Sequence, residues 1–165
     1  MTTGHSILWE DAVIGDDLFH VVPDRDPVCA GHYLALPRAM HRSLAEVPQE
    51  HTLDLEDLSA RLFGRASWAF FERGNAAFCT STNGPVFAHA HLVAMQDFDQ
   101  RQVALLISQL PHATRVRSLA DALGSVSDRH EYLVAGVSGD WWAVSPFASK
   151  VKRYIRSLLQ ECRVS

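Results

Sequence analysis

The hydrophobic rhythm of this chain changes between a period of two and a period near 3.6 without settling into regular strand–helix–strand alternation. Strand-like runs are Ile7–Glu10, Asp17–Val22, Gly31–Pro37, Trp68–Glu72, Val86–Met95, Tyr132–Ala135 and Trp141–Val144. Helical spacing occurs from Leu55 to Arg65, from Gln100 to Leu110, and from Pro146 to Glu161, where Ser145 suits an N-cap and Pro146 the first helical position. Turns are expected at Ile14–Asp16, Thr80–Gly84 and Gly136–Asp140, and Pro23–Pro27 is a loop because its two prolines fix φ and remove amide donors. Strands grouped in this way exclude a doubly wound parallel sheet and predict an antiparallel α+β domain. With 165 residues and no linker, repeat or low-complexity stretch, residues 1–165 read as a single domain.

The segment Gly84–Val93, GPVFAHAHLV, carries the strongest chemical signal. Alternate residues of a strand share a face, so His89, His91 and Val93 line one side while Ala88, Ala90 and Leu92 line the other. Three chemistries suit two imidazoles on one face. They are a hydrogen-bonded structural pair, part of a metal site, or a neutral imidazole attacking a phosphoryl or acyl centre while a neighbour fixes its tautomer. A metal needs a third ligand. The cupin pattern would put a glutamate shortly after the second histidine, where this chain has Met95 and Gln96, so no metal or other cofactor is expected.

Composition narrows the partners. Fifteen Lys and Arg against nineteen Asp and Glu give a net charge of −4, so no global positive field exists to hold duplex nucleic acid. No apolar run approaches the ~20 residues that span a bilayer, and the N-terminus lacks the features of a signal peptide. The three cysteines, Cys29, Cys79 and Cys162, show no CxxC spacing, which fits a reducing compartment. These features predict a soluble, cytoplasmic protein.

Four blocks in order resemble the histidine-triad (HIT) superfamily. Asp24–Arg38 follows its D-x-x-P-V-x-x-G-H-x-L-φ-φ-P pattern, and Phe70–Gly74 is similar to the FxEHG strand of a bacterial subgroup. Phe87–Val93 matches that subgroup's x-x-H-A-H-L-H with valine in the last place, and Ser149–Arg153 is similar to a C-terminal S-Q-x-x-R with lysine in place of glutamine. The resemblance implies a HIT-like fold, with an antiparallel sheet of about five strands, packed helices and a homodimer. It further implies a nucleotide-binding hydrolase or nucleotidyltransferase that acts at an α-phosphorus through a nucleotidyl-histidine intermediate. Its alternative is a catalytically impaired nucleotide-binding or regulatory protein, since Val93 stands where the family has a third histidine.

Two registers fit the motif. In the preferred one His89 orients, His91 attacks and Val93 takes the third place; in the other His89 is central, His91 third and Phe87 first. The resemblance assigns Asp24 to the ribose hydroxyls and makes Val93, Ser149, Lys150 and Arg153 the residues beside the phosphate or leaving group. It leaves His32 outside the site as a structural residue. The N-terminus of the last helix, if it faced the cleft, would add amide donors for an anion.

Overall fold

The computed structural model describes residues 12–75, 88–126, 130–149, 151 and 153–164. One eight-stranded antiparallel sheet forms the centre, built from β1 (Ile14–Gly15), β2 (Phe19–Pro23), β3 (His32–Pro37), β4 (Trp68–Gly74), β5 (Ala90–Ala94), β6 (Ala113–Val116), β7 (Tyr132–Val137) and β8 (Asp140–Val144). Their spatial order is β1-β2-β3-β5-β4-β7-β8-β6. Among the described residues four α-helices cover it: α1 (Gln49–Phe63), α2 (Gln100–Ser108), α3 (Leu119–Ser125) and α4 (Tyr154–Glu161).

Period-two alternation divides each inner strand between two cores. Phe70, Ala90, Leu92, Tyr132, Val134 and Trp141 join Leu55 and Leu58 of α1 and Leu119 and Leu123 of α3. Their sequence neighbours Ala69, Phe71, Val93, Leu133, Ala135 and Trp142 pack on the other side against Val103 and Ile107 of α2 and Ile155, Leu158 and Leu159 of α4. Trp141 and Trp142 therefore belong to opposite cores. Each large side chain buried in this way contributes roughly 1.5–3 kcal/mol of transfer free energy.

The α+β class and the antiparallel sheet agree with expectation. The sheet is larger than expected, with eight strands in place of about five. Ile14–Gly15, expected as a turn, pairs with Val21 and His20, and Ala113–Val116 adds β6 beyond β8. Helix α3 has only seven residues, too few for a helical period to stand out, and begins on Ser118, whose side chain accepts the Asp121 amide. Helix α1 starts six residues before the expected Leu55, at Gln49 after Pro48. The expected strand at Ile7–Glu10 and the turn at Thr80–Gly84 lie outside the described residues.

The last helix departs most. It begins at Tyr154, after Arg153 in the left-handed region (φ 57°), and not at Pro146. The reason is a buried guanidinium. Arg73 Nη2 donates to the Ser149 carbonyl at 2.6 Å and Nη1 to the Val151 carbonyl at 2.7 Å, while its Nε bonds Glu131. The Phe147 ring packs on Arg73, and the Phe147 amide donates to the Glu131 carbonyl at 2.8 Å. Carbonyls engaged by an arginine are not available to a helical ladder, which accounts for a helix that starts only after this anchor.

Candidate functional site

Strands β3 and β5 are neighbours, with His32 opposite Val93 and Leu34 opposite His91. Paired residues of an antiparallel ladder share a face, so His32 and His91 are diagonal neighbours on the α2/α4 side. Gly31 makes this approach possible. A Cβ on it would fall 2.5 Å from the Ala94 Cβ, and its carbonyl accepts the Ala94 amide at 2.8 Å. The ring centroids of His32 and His91 are 5.2 Å apart, and His32 Nε2 lies 2.9 Å from His91 Nδ1. His89 stands edge-on to His91 with centroids 5.3 Å apart. Its lead-in is anchored by the Ala88 amide, which donates to the His41 carbonyl at 2.8 Å.

The loop before β3 folds around the His32 ring. The Asp24 amide donates to the His32 carbonyl at 3.0 Å, Asp24 Oδ1 accepts the Asp26 amide at 2.8 Å, and the Val28 amide donates to His32 Nδ1 at 3.1 Å. Helix α4 then closes the loop from above. Arg156 Nη2 bridges Asp24 Oδ1 and Oδ2 at 2.9 and 2.8 Å, its Nη1 donates to the Asp26 carbonyl, and Arg153 Nη2 reaches Asp26 Oδ2 at 2.7 Å.

Burial dominates the electrostatics. It holds His32 down at about 4, helped by the positive charge of Arg156 and opposed by Asp24 and Asp26. It also pushes His91 well below the ordinary histidine value, aided by His89, His32, Arg156 and Arg153. Both rings are therefore neutral at physiological pH.

Asp24 Oδ2, His32 Nε2 and His91 Nδ1 lie within 4.8 Å of one another, a spacing compatible with a shared metal ion. The hydrogen bonding rejects that use. An amide can only donate, so the Val28 N–H requires a bare Nδ1 on His32, and the neutral ring must carry its proton on Nε2. A histidine bound to metal through Nε2 instead carries a proton on Nδ1 and donates it to a neighbouring acceptor. The Arg156 charge on Asp24 opposes a cation as well. The donor set fits an anion better.

The structure brings together some of the expected residues and separates others. His89, His91 and Arg153 surround one locus. Val93 does not line it: the side chain is fully buried in the core with Ala69, Phe71 and Met95, because α2 and α4 cover this face beyond His91. Asp24 is buried, and its oxygens already accept from Arg156 and the Asp26 amide, so as arranged it offers no free carboxylate to a ribose. Ser149 is engaged ahead of α4, its carbonyl held by Arg73 and its hydroxyl accepting the Val151 amide at 3.1 Å. It is not on a helix, so the expected helix-terminus anion site does not form from it. Lys150 and Phe87 lie outside the described residues.

Two residues of the cluster were missed from the sequence. His32, set aside as structural, bonds directly to His91. Arg156 is the main partner of Asp24. The available signal for Arg156 is its three-residue spacing from Arg153, matched by Asp24 and Asp26 two apart in a loop. A separate groove of about 540 Å³ lies between α2 and β6, lined in part by Arg101, Leu105, Arg115 and Trp142; among the described residues no histidine borders it.

No protein-family model matches the chain, and no curated protein matches it in sequence. Its fold is similar to solved structures of yeast Ap4A phosphorylase Apa2. The complex with AMP superposes with a TM-score of 0.53 at 16% identity, covering 81% of this chain and 57% of that one. A second structure of that enzyme gives a TM-score of 0.55 at 13% identity, covering 84% and 59%. The chain thus spans less than two thirds of the length of these neighbours, and at such identity the likeness is one of fold.

Proposed function

We propose that this protein binds a nucleotide through its phosphate at the locus formed by His89, His91, Arg153 and Arg156. One observation carries the reading: the imidazoles of His89 and His91 and the guanidinium groups of Arg153 and Arg156 converge beside the Asp24–Asp26 loop, next to an apolar core. Arginine and imidazole N–H groups suit phosphate oxygens, whose charge and many acceptor sites match their donors. The fold shared with a protein crystallised with AMP supports a mononucleotide as the first ligand to test. On this reading the phosphate takes Arg156 or Arg153 from the acidic loop, and Asp24 then becomes available to the sugar.

Binding without turnover is the reading the packing favours. Phosphoryl transfer depends on preorganised donors around the moving group, and loss of one costs on the order of a hundredfold. The third position offers only the buried methyls of Val93. The second reading is nucleotidyl transfer through His91, favoured by the unbroken H-A-H-L string and by the fold it shares with an Ap4A phosphorylase. The homodimer and the cytoplasmic location belong to the same proposal.

Calorimetry with AMP tests it. Binding is expected for the native protein and weakened binding for His91→Ala and Arg153→Ala. Absence of heat with AMP and with the other mononucleotides removes the reading. Incubation with labelled Ap4A followed by an alkaline quench separates the two forms, because an adduct lost in His91→Ala would replace binding with transfer.

A further inference from the structure

The chain of hydrogen bonds through His32 has a fixed direction. It starts at a backbone amide, which cannot accept. The Val28 N–H donates to His32 Nδ1 at 3.1 Å, and this places the proton of the neutral ring on Nε2. That nitrogen has two acceptors within reach, His91 Nδ1 at 2.9 Å and Asp24 Oδ2 at 3.4 Å. The shorter contact is the hydrogen bond; the longer lies beyond the usual range and approaches an oxygen already bonded to Arg156 at 2.8 Å. His91 cannot be the donor in this pair, because His32 would then accept at both nitrogens and have to be an imidazolate. His91 Nδ1 therefore accepts, and its single proton resides on Nε2.

We propose that His32 is a positioning residue that locks His91 as the Nε2–H tautomer, making His91 a hydrogen-bond donor to a ligand's phosphate oxygen and not a nucleophile. The inference rests on the nucleotide-phosphate reading for the identity of the ligand, but not for the tautomer. Among the described residues Nε2 of His91 has no hydrogen-bond partner, and the side chain keeps 14% exposure. Attack on phosphorus from this nitrogen would need a lone pair that the lock removes. Donation to an anionic oxygen needs the N–H that it supplies. The amide and the two rings also polarise one another in the same direction, which strengthens the terminal donor.

The test is a long-range proton–nitrogen NMR correlation on uniformly 15N-labelled protein at pH 7, which distinguishes protonated from bare ring nitrogens. The expected result is a bare Nδ1 and a protonated Nε2 on both His32 and His91. His32→Gln keeps a donor at the reach of Nε2 and should preserve the His91 pattern. His32→Leu removes it, so His91 should populate both tautomers, with affinity for a mononucleotide falling about fivefold, the equivalent of one neutral hydrogen bond. A proton on Nδ1 of His91 in the native protein overturns the inference while leaving phosphate binding intact. So does an unchanged His91 pattern in His32→Leu. Should that variant not fold, the native spectrum and His32→Gln decide alone. The expected tautomers without mononucleotide binding would instead uphold the lock and remove the nucleotide reading.

Discussion

Replacing Glu72 by glutamine should change how stability depends on pH, although Glu72 lies on the sheet face opposite the histidines. Its side chain is buried, accepting the Tyr132 hydroxyl at 2.5 Å and the Leu44 amide at 2.7 Å. Burial outweighs both donors and raises its carboxyl from 4.5 to about 7. The folded state thus holds a proton that the unfolded chain releases between those values. Stability contributed by Glu72 is complete below pH 4.5 and is lost as pH rises toward 7. At about 1.4 kcal/mol per pH unit the loss is about 3 kcal/mol. His32, held at about 4, has the opposite slope, since the unfolded chain binds its proton first and stability rises from about pH 4 to 6.5. The two slopes oppose each other in the native protein, so the difference between variants is the clean quantity. Relative to the native protein, Glu72→Gln should gain about 3 kcal/mol between pH 4.5 and 7.5, a relative rise of roughly 6–12 °C in Tm for a domain of this size. Urea unfolding at half-unit pH steps measures it. A difference that stays constant across that window would refute the assignment of a protonated Glu72.

Three other perturbations address the framework of the site. Arg156→Met leaves Asp24 buried without its main partner and should cost about 2–3 kcal/mol, less than the about 3–5 of a fully enclosed pair because the arginine is partly exposed; adding Asp24→Asn should recover part of this in a denaturation double-mutant cycle. Gly31→Ala drives a methyl to 2.5 Å from the Ala94 Cβ, so a loss of about 1–3 kcal/mol is expected, with most of it restored by Ala94→Gly; equilibrium unfolding of the two variants checks this. Arg73→Met removes the donors that hold the Ser149 and Val151 carbonyls and should lower stability by about 3 kcal/mol. Amide hydrogen exchange should then speed up in α4 more than in β7.

The expected strands reappear because their residues alternate between two cores, a pattern that survives in one dimension. Phe70 and Phe71 differ by one position and pack in different layers, as a period of two requires. The short elements were less legible. α3 is too brief for a helical period, and Ala113–Val116 has one outer edge with no strand partner in the described sheet, so its burial pattern is weak. Ser145 and Pro146 carry the signals of a helix start, yet α4 begins eight residues after Pro146. What engages the Ser149 and Val151 carbonyls ahead of α4 is Arg73, more than seventy positions earlier.

Within the site, the face shared by His89 and His91 follows from their two-residue spacing, because strand geometry depends only on separation along the chain. Tertiary structure alone decided that Val93 is core, that Asp24 is held by Arg156, and that His32 bonds His91. Each of these depends on segments that meet only after the sheet and α4 have packed. The protonation of an imidazole is set by whichever donor happens to face it, and here that donor is a backbone amide in a loop.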